Sequence, residues 1–233
     1  MRQIVLDTET TGIEIEAGHR IIEIGCIELV NRKFTGKRFH QYINPERDID
    51  EGALAVHGIT KHFLLDKPVF SQIVNNFMDF VRDAELIIHN APFDVGFINH
   101  ELALTRQSWK RLPDYCQITD TLTMARQLHI GQRNNLDALC KRYSVDNTQR
   151  DLHGALLDAH LLAQVYLAMT GGQGNLFGET QGQQAEAQIQ TNVAHSNVMH
   201  NDLRVIEAGT DELKEHELRL QKMLEKGKCV WLN

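Results

Sequence analysis

Asp7-Thr8-Glu9 places two carboxylates at i and i+2, directly after the apolar run Ile4-Val5-Leu6. In an extended segment those two side chains point the same way, so both acids project together from the end of a strand that reads as buried on both faces. Taken alone, such a pair is far more often a capping or turn aspartate beside a solvated glutamate. Asp94 shares a helical face with Phe97, Ile98 and Leu102 and so points at a core, unless it merely caps a helix start just after Pro92. Asp158 follows Ala155 by three residues and precedes Leu161, Leu162 and Val165 by three, four and seven. A carboxylate on that face is either a ligand or a buried acid paired with a single Arg or Lys. Together these are four acids on inward-facing positions of separate elements. Four carboxylates cannot stay ionised in one place without cations, because like charges raise each other's pKa. Oxygen-only ligands suit Mg²⁺ or Mn²⁺ rather than zinc. Two such ions about 4 Å apart activate a water and stabilise the leaving oxygen in phosphodiester hydrolysis.

The candidate general base is His153. Five residues before Asp158 is about 140° of helical rotation, so the two cannot share a helix face. His153 belongs in the turn before the helix, with Gly154 between, from where it can swing towards the acids as a base titrating near neutrality. The chain has 12 histidines, and it is the spacing to Asp158 that singles this one out.

The elements that must position these groups follow from periodicity. Ile4 to Leu6, Ile21 to Val30 and Phe39 to Ile43 read as three strands, joined by short turns (Asn31 to Gly36 is one) into an antiparallel meander. After Pro68 the period becomes helical. Phe70, Ile73, Val74, Phe77 and Val81 form one stripe; Phe93, Phe97, Ile98 and Leu102 a second; Leu136, Leu139, Cys140 and Tyr143 a third; Leu161, Leu162, Val165 and Met169 a fourth. Glu85 to His89 is a further short strand. The expected architecture is α/β, a mixed sheet of about five strands flanked by helices.

The composition sets the outer bounds. The 233 residues are 42% apolar and 24% charged, which is a globular balance. Lys+Arg total 24 against 31 Asp+Glu, a net charge of −7, which excludes gripping nucleic acid through a large positive field. No apolar run is long enough to span a bilayer, and the opening MRQIVLDTETTG has no signal-peptide core, so the expected location is the cytoplasm. Cys26, Cys116, Cys140 and Cys229 are scattered and read as small apolar residues in a reducing compartment. The chain divides at Gly171-Gly172. Residues 1–170 form the patterned domain. Residues 171–200 carry no Lys or Arg and are rich in Gln and Gly, as a flexible linker is. Residues 201–233 regain pattern: a strand candidate at Leu203 to Ile206, an amphipathic helix from Thr210 to Lys226 with Leu213, Leu220 and Leu224 on one face, and a last strand candidate at Val230-Trp231-Leu232. That segment is too small to fold alone and reads as a docking element completed by another protein.

Asp7-x-Glu9-Thr10-Thr11-Gly12, His89-Asn90-Ala91-x-Phe93-Asp94 and His153-Gly154-Ala155-x-x-Asp158-Ala159 resemble the three motifs of the DEDDh exonuclease superfamily. The segments VYLAMTGGQ and a terminal Cys-x-Trp are similar to its branch of bacterial replicase proofreading subunits. The resemblance implies a ribonuclease-H-like fold and 3′→5′ hydrolysis of DNA ends, single-stranded or mispaired, releasing nucleoside 5′-monophosphates. It implies that Asp7, Glu9 and Asp158 hold a pair of Mg²⁺ or Mn²⁺ ions, that Asp94 completes the site, that His153 is the base, and that Asp7, Glu9, Thr10, His57 and Asp158 meet the terminal nucleotide. Where the family carries an acid five residues before that histidine, this chain has Gly52, with Glu51 one position earlier. Either Glu51 takes over the contact or a backbone group near Gly52 supplies it.

The resemblance also implies partners. Gln173, Leu176 and Phe177 match a sliding-clamp-binding peptide in the linker. Leu213, Leu220, Leu224 and Trp231 would dock on the catalytic (alpha) subunit of DNA polymerase III, and the exonuclease domain is a place for a small accessory subunit. Two other functions compete: a free-standing DEDDh exoribonuclease, for which linker and tail are superfluous, and a catalytically silent clamp–polymerase adaptor, against which the complete acid set argues, since buried unpaired carboxylates are costly to keep.

Overall fold

The computed structural model of the chain describes residues 1–148, 150, 152–171 and 209–226, with the side chains of the last helix only to residue 222. Five strands, β1 (Arg2–Thr10), β2 (Ile21–Val30), β3 (Lys33–Tyr42), β4 (Glu85–Ile88) and β5 (Gln117–Asp120), lie in the order β3-β2-β1-β4-β5. β1 and β2 pair antiparallel, as do β2 and β3. β1, β4 and β5 run parallel. The expected meander and mixed sheet are both present. β3 starts earlier than Phe39 because the turn before it is only Asn31-Arg32. Both residues adopt left-handed φ, 49° and 63°, as a two-residue hairpin turn requires, and the two strands therefore pair from Lys33 onwards.

Among the described residues, seven helices accompany the sheet in its own unit, α1 (Glu51–His57), α2 (Lys61–Leu64), α3 (Phe70–Val81), α4 (Ala91–Leu104), α5 (Thr121–Leu128), α6 (Leu136–Tyr143) and α7 (Ala155–Thr170), and a further one, α8 (Thr210–Lys226), comes later in the chain. The alternation of β1 decides which helix packs where. Ile4 and Leu6 face α3 and α4, in one core with Phe70, Phe77 and Phe97. Val5 faces the other way, with Ile87, Leu162 and Tyr166, onto α7. Helices α5 and α6 pack on the outer side of α7 through Ala125, Leu139, Leu161 and Val165. Cys26, Cys116 and Cys140 are buried free thiols, while Cys229 lies outside the described residues. α1, α2, α5 and β5 were not anticipated. β5 is four residues, QITD, three of them polar, too short for a period of two to register.

Helix α8 belongs to a second unit of the chain. Its bounds agree with the amphipathic helix expected there, and Leu213 is exposed on it. Leu224 falls among its undescribed side chains, and the linker, the Leu203 to Ile206 segment and Trp231 lie outside the described residues. No described helix is long and apolar enough to cross a membrane.

Candidate active site

The parallel strand β4 ends at Ile88, level with Leu6 of the longer β1, and a cavity of about 250 Å³ opens over its carboxyl end. This is where an open α/β sheet places its ligands. Asp7 and Glu9 enter it from β1, Asp94 from the first turns of α4, Asp158 from the first turn of α7, and His153 from the loop before α7. Asp94 and Asp158 are both 3% exposed and Glu9 is 9%. The helix start at α4 is taken by Asn90 in a left-handed conformation, so Asp94 is not a cap. Its carboxylate accepts a 2.6 Å hydrogen bond from the Thr8 hydroxyl, which holds it at the cavity.

Two residues of β2 set α7 against β1. Gly25 is the strand partner of Asp7, and a Cβ there would lie 2.3 Å from the backbone of Ala155 and Leu156. Only glycine lets the helix carrying Asp158 come this close. Glu23 is the partner of Glu9, is 2% exposed, and accepts from the backbone N–H of Ala155 at 3.1 Å, so it ties down the first residue of α7. His40 Nε2 approaches the other Glu23 oxygen at 2.7 Å.

The electrostatics are those of an acid cluster short of cations. Burial, then the charges of Asp94, Glu9 and Asp158, push the Asp7 carboxyl well above the ordinary range. Burial, then Asp158 and Glu23, push Glu9 up to about 8. Burial raises Asp94 to about 7 against the opposing hydrogen bond from Thr8. Glu9, His153 and Asp158 each offer a ligand atom, all within 4.8 Å of one another. Buried acids held above their usual range, with oxygen donors predominating, fit a hard divalent cation. Among the described residues lining the cavity the single permanent cation is Arg150, which forks onto Asp158 through Nε and Nη2 at 2.6 Å each. Asp158 is therefore both things the sequence left open: a member of the acid cluster and an acid paired with one arginine. Its helix neighbours Leu161 and Leu162 are buried as expected.

A second cavity of about 360 Å³ adjoins the first, sharing Thr8, Glu9 and Phe93 with it. Its far wall is α1, with Gly52, Ala53, Val56 and His57. Thr10 lines it too, its hydroxyl donating to the Gly12 carbonyl at 2.6 Å. His57 is buried, and burial holds its pKa below the usual histidine range. Its Nδ1 accepts from the Ile59 N–H at 2.9 Å, which leaves Nε2 protonated, without a partner among the described residues. Glu51 is exposed at the start of α1 and does not line this cavity; Asp50 does, beside a Gly52 whose surroundings are open. The acid beside Gly52 that lines this cavity is thus Asp50 rather than Glu51. Asp50, Glu23, Gly25 and Arg150 were not singled out from sequence. Gly25 and Glu23 lie inside an apolar strand pattern, and Arg150 lies in a loop without period.

The exonuclease family model RNase_T matches residues 4–166. The DNA polymerase III subunit epsilon of Salmonella typhimurium is 52% identical over 239 aligned positions, covering 99% of this chain and 97% of that protein. The protein of the same name from Haemophilus influenzae is 49% identical, covering 99% and 94%. Among solved structures, exonuclease X in complex with 5′-overhanging duplex DNA superposes with a TM-score of 0.57 at 24% identity, over 74% of this chain and 93% of that one. An Escherichia coli exonuclease I–single-stranded DNA complex superposes with a TM-score of 0.63 at 17% identity, over 74% and 41%. Those two likenesses concern the fold. The chain belongs to the exonuclease family, on the branch of the DNA polymerase III epsilon subunits, and with that membership goes 3′→5′ exonuclease activity.

Proposed function

We propose that this chain is the proofreading exonuclease of a bacterial DNA polymerase III, removing the terminal nucleotide from a mispaired 3′ end. The observation that carries this is the pairing of two cavities on the shared wall of Thr8, Glu9 and Phe93, one acidic and one mostly apolar. A terminal nucleoside fits the apolar cavity, stacked against Phe93 and bounded by Thr10, Val56 and His57, with the protonated Nε2 of His57 as a donor to it. Its 5′ phosphate then falls among the acids.

Asp7, Glu9 and Asp158 would hold two divalent ions, Mg²⁺ or Mn²⁺, with Asp94 completing the set. The chemistry such ions supply is stabilisation of negative charge developing on the phosphoryl oxygens. His153, on the open side of the cavity, accepts the proton of the attacking water. A new O–P bond forms and the bond from phosphorus to the preceding 3′ oxygen breaks. The products are a nucleoside 5′-monophosphate and a strand with a free 3′ hydroxyl.

The chain works in the cytoplasm beside its partners. Leu213, Leu220, Leu224 and Trp231 dock on the polymerase catalytic subunit, Gln173, Leu176 and Phe177 on the sliding clamp, and the exonuclease domain can carry a small accessory subunit. At −7 the protein releases few counterions from DNA, so it depends on such tethering and on ends that are already open. A paired terminus costs a few kcal/mol to unstack, and a mispaired one less. The test is digestion of 5′-labelled primers, matched and mispaired at the same sequence, in Mg²⁺. Faster loss of mononucleotides from the mispaired end is expected. Equal rates would contradict the proofreading assignment.

A further inference from the structure

The side chain of Arg150 is 6% exposed and touches three residues, Asp158 of the acid cluster, Asp137 and His153. Nε and Nη2 donate to the two oxygens of Asp158 at 2.6 Å each. Nη1 donates to Asp137 at 2.5 Å, and Nη2 lies 2.9 Å from Nδ1 of His153. A guanidinium only donates. The last contact therefore makes Nδ1 an acceptor and leaves the ring proton on Nε2. One side chain thus covers both oxygens that Asp158 would offer a metal and one of the two nitrogens with which His153 could take a proton. Asp137 differs from the other acids here. It stands on the opposite side of the guanidinium, at the start of α6, with its side chain 55% exposed.

We propose that Arg150 is the resident counter-cation of the site, and that a divalent metal must displace it from Asp158, an event that also releases Nδ1 of His153. Without metal the arginine compensates the charge of buried Asp158 and keeps the cluster assembled. The fork takes one lone pair on each oxygen and its positive charge opposes a metal at the same carboxylate, so the two cations compete for Asp158. When the fork opens, the hydrogen bond to Asp137 retains the arginine at the rim. Metal loading and freeing of the histidine are then one step, and the metal-free site is held silent by a contact within the chain.

The inference rests on the metal-binding assignment above, and the experiment separates the two. Mn²⁺ is titrated calorimetrically into the metal-free full-length protein, wild type beside Arg150→Gln and Asp137→Asn. Two cations competing for one carboxylate are linked by a coupling that typically amounts to about fivefold or more in affinity. Arg150→Gln should therefore bind Mn²⁺ at least that much more tightly. Asp137→Asn, a change at a half-exposed helix start, removes the acid that retains the displaced arginine and should shift affinity the opposite way, to weaker Mn²⁺ binding. In the wild type, the ¹⁵N signal of Arg150 Nε should move on adding Mg²⁺, and His153 should lose its fixed Nε2–H tautomer. Unchanged or weaker Mn²⁺ affinity in Arg150→Gln, with the wild type binding normally, would overturn the role of Arg150. A wild type that takes up no Mn²⁺ would overturn the metal assignment itself, and this inference with it.

Discussion

Gly25 faces Asp7 across the β1–β2 pair, and the backbone of Ala155 occupies the space where its side chain would be. The distance between the strand acids and the helix acid is thus set by a missing methyl group. Gly25→Ala must push α7 outward. Overpacking of this kind costs about 1–3 kcal/mol, and a misplacement near 1 Å in a catalytic constellation costs about 10²-fold in rate. The expected result is a protein that still melts cooperatively, a few degrees lower, with hydrolysis down by two orders of magnitude. Thermal unfolding beside a nuclease assay reads both.

Asp7→Ala, Glu9→Ala and Asp158→Ala should each abolish hydrolysis with the fold retained. Their effects on the metal-free protein should differ. Asp7 and Glu9 are held above their usual range by burial and by neighbouring acids, so losing either relieves repulsion and the melting temperature should rise. Asp158 is the partner of Arg150, and its loss strands a buried guanidinium, so here the melting temperature should fall. Activity within a few-fold of wild type for Asp158→Ala would rule out the two-ion site.

The metal-free protein should lose stability as pH rises from about 4 to about 8. Glu9 goes from 4.5 in the open chain to about 8 when folded, and Asp94 from 3.8 to about 7. Between those limits the folded state holds more protons than the unfolded one, so stability falls with pH across the window and levels off above it. Metal binding expels those protons. Apparent metal affinity should therefore climb through pH 7 to 8, and saturating Mg²⁺ should flatten the stability profile. Denaturant titrations at several pH values, with and without Mg²⁺, check the sign.

His153→Ala should lower the rate by roughly 10²–10⁴-fold, the usual worth of a positioned acid–base group. Its side chain is 43% exposed, with Nδ1 3.4 Å from Asp158, so Mn²⁺ affinity and melting temperature should change little. Loss of metal binding in step with activity would instead make His153 a ligand.

A chain cut after Gly171 keeps every acid of the site, His153 and the whole of α7. It should digest single strands at the rate of the intact protein yet fail to co-elute with the polymerase catalytic subunit. Leu176→Ala with Phe177→Ala in the full chain should weaken only the clamp contact. Size-exclusion chromatography of each variant with polymerase and with clamp reads the outcome, and co-elution of the truncated chain with the polymerase would remove the docking role of the tail.

Periodicity revealed the long elements because they bury one unbroken face: Phe70, Ile73, Val74, Phe77 and Val81 all point inward from α3. The i, i+2 spacing of Asp7 and Glu9, and the apolar company of Asp94 and Asp158, marked acids on inward positions for the same reason. What stayed hidden depends on contacts distant in sequence. Gly25 and Glu23 look like ordinary members of a strand until α7, some 130 residues later (Glu23 to Ala155 is 132), packs onto them. Arg150 carries no local signal, because its partners Asp137 and Asp158 lie on two different helices. The short elements α1 and β5 took their shape from the sheet and the loops around them rather than from any pattern of their own.

Asp7 and Glu9 ride on the middle strand of the sheet, bonded to β2 along its length and to β4 over Gln3 to Val5. His153 rides on a loop whose backbone is pinned by its N–H to the Val56 carbonyl at 3.1 Å. In hydrogen-exchange terms these belong to opposite ends of the scale: strand amides that open only with the whole domain, and a loop amide that opens by local fluctuation. Mild heat or denaturant therefore disarms the enzyme before it unfolds it, and cooling rearms it without refolding.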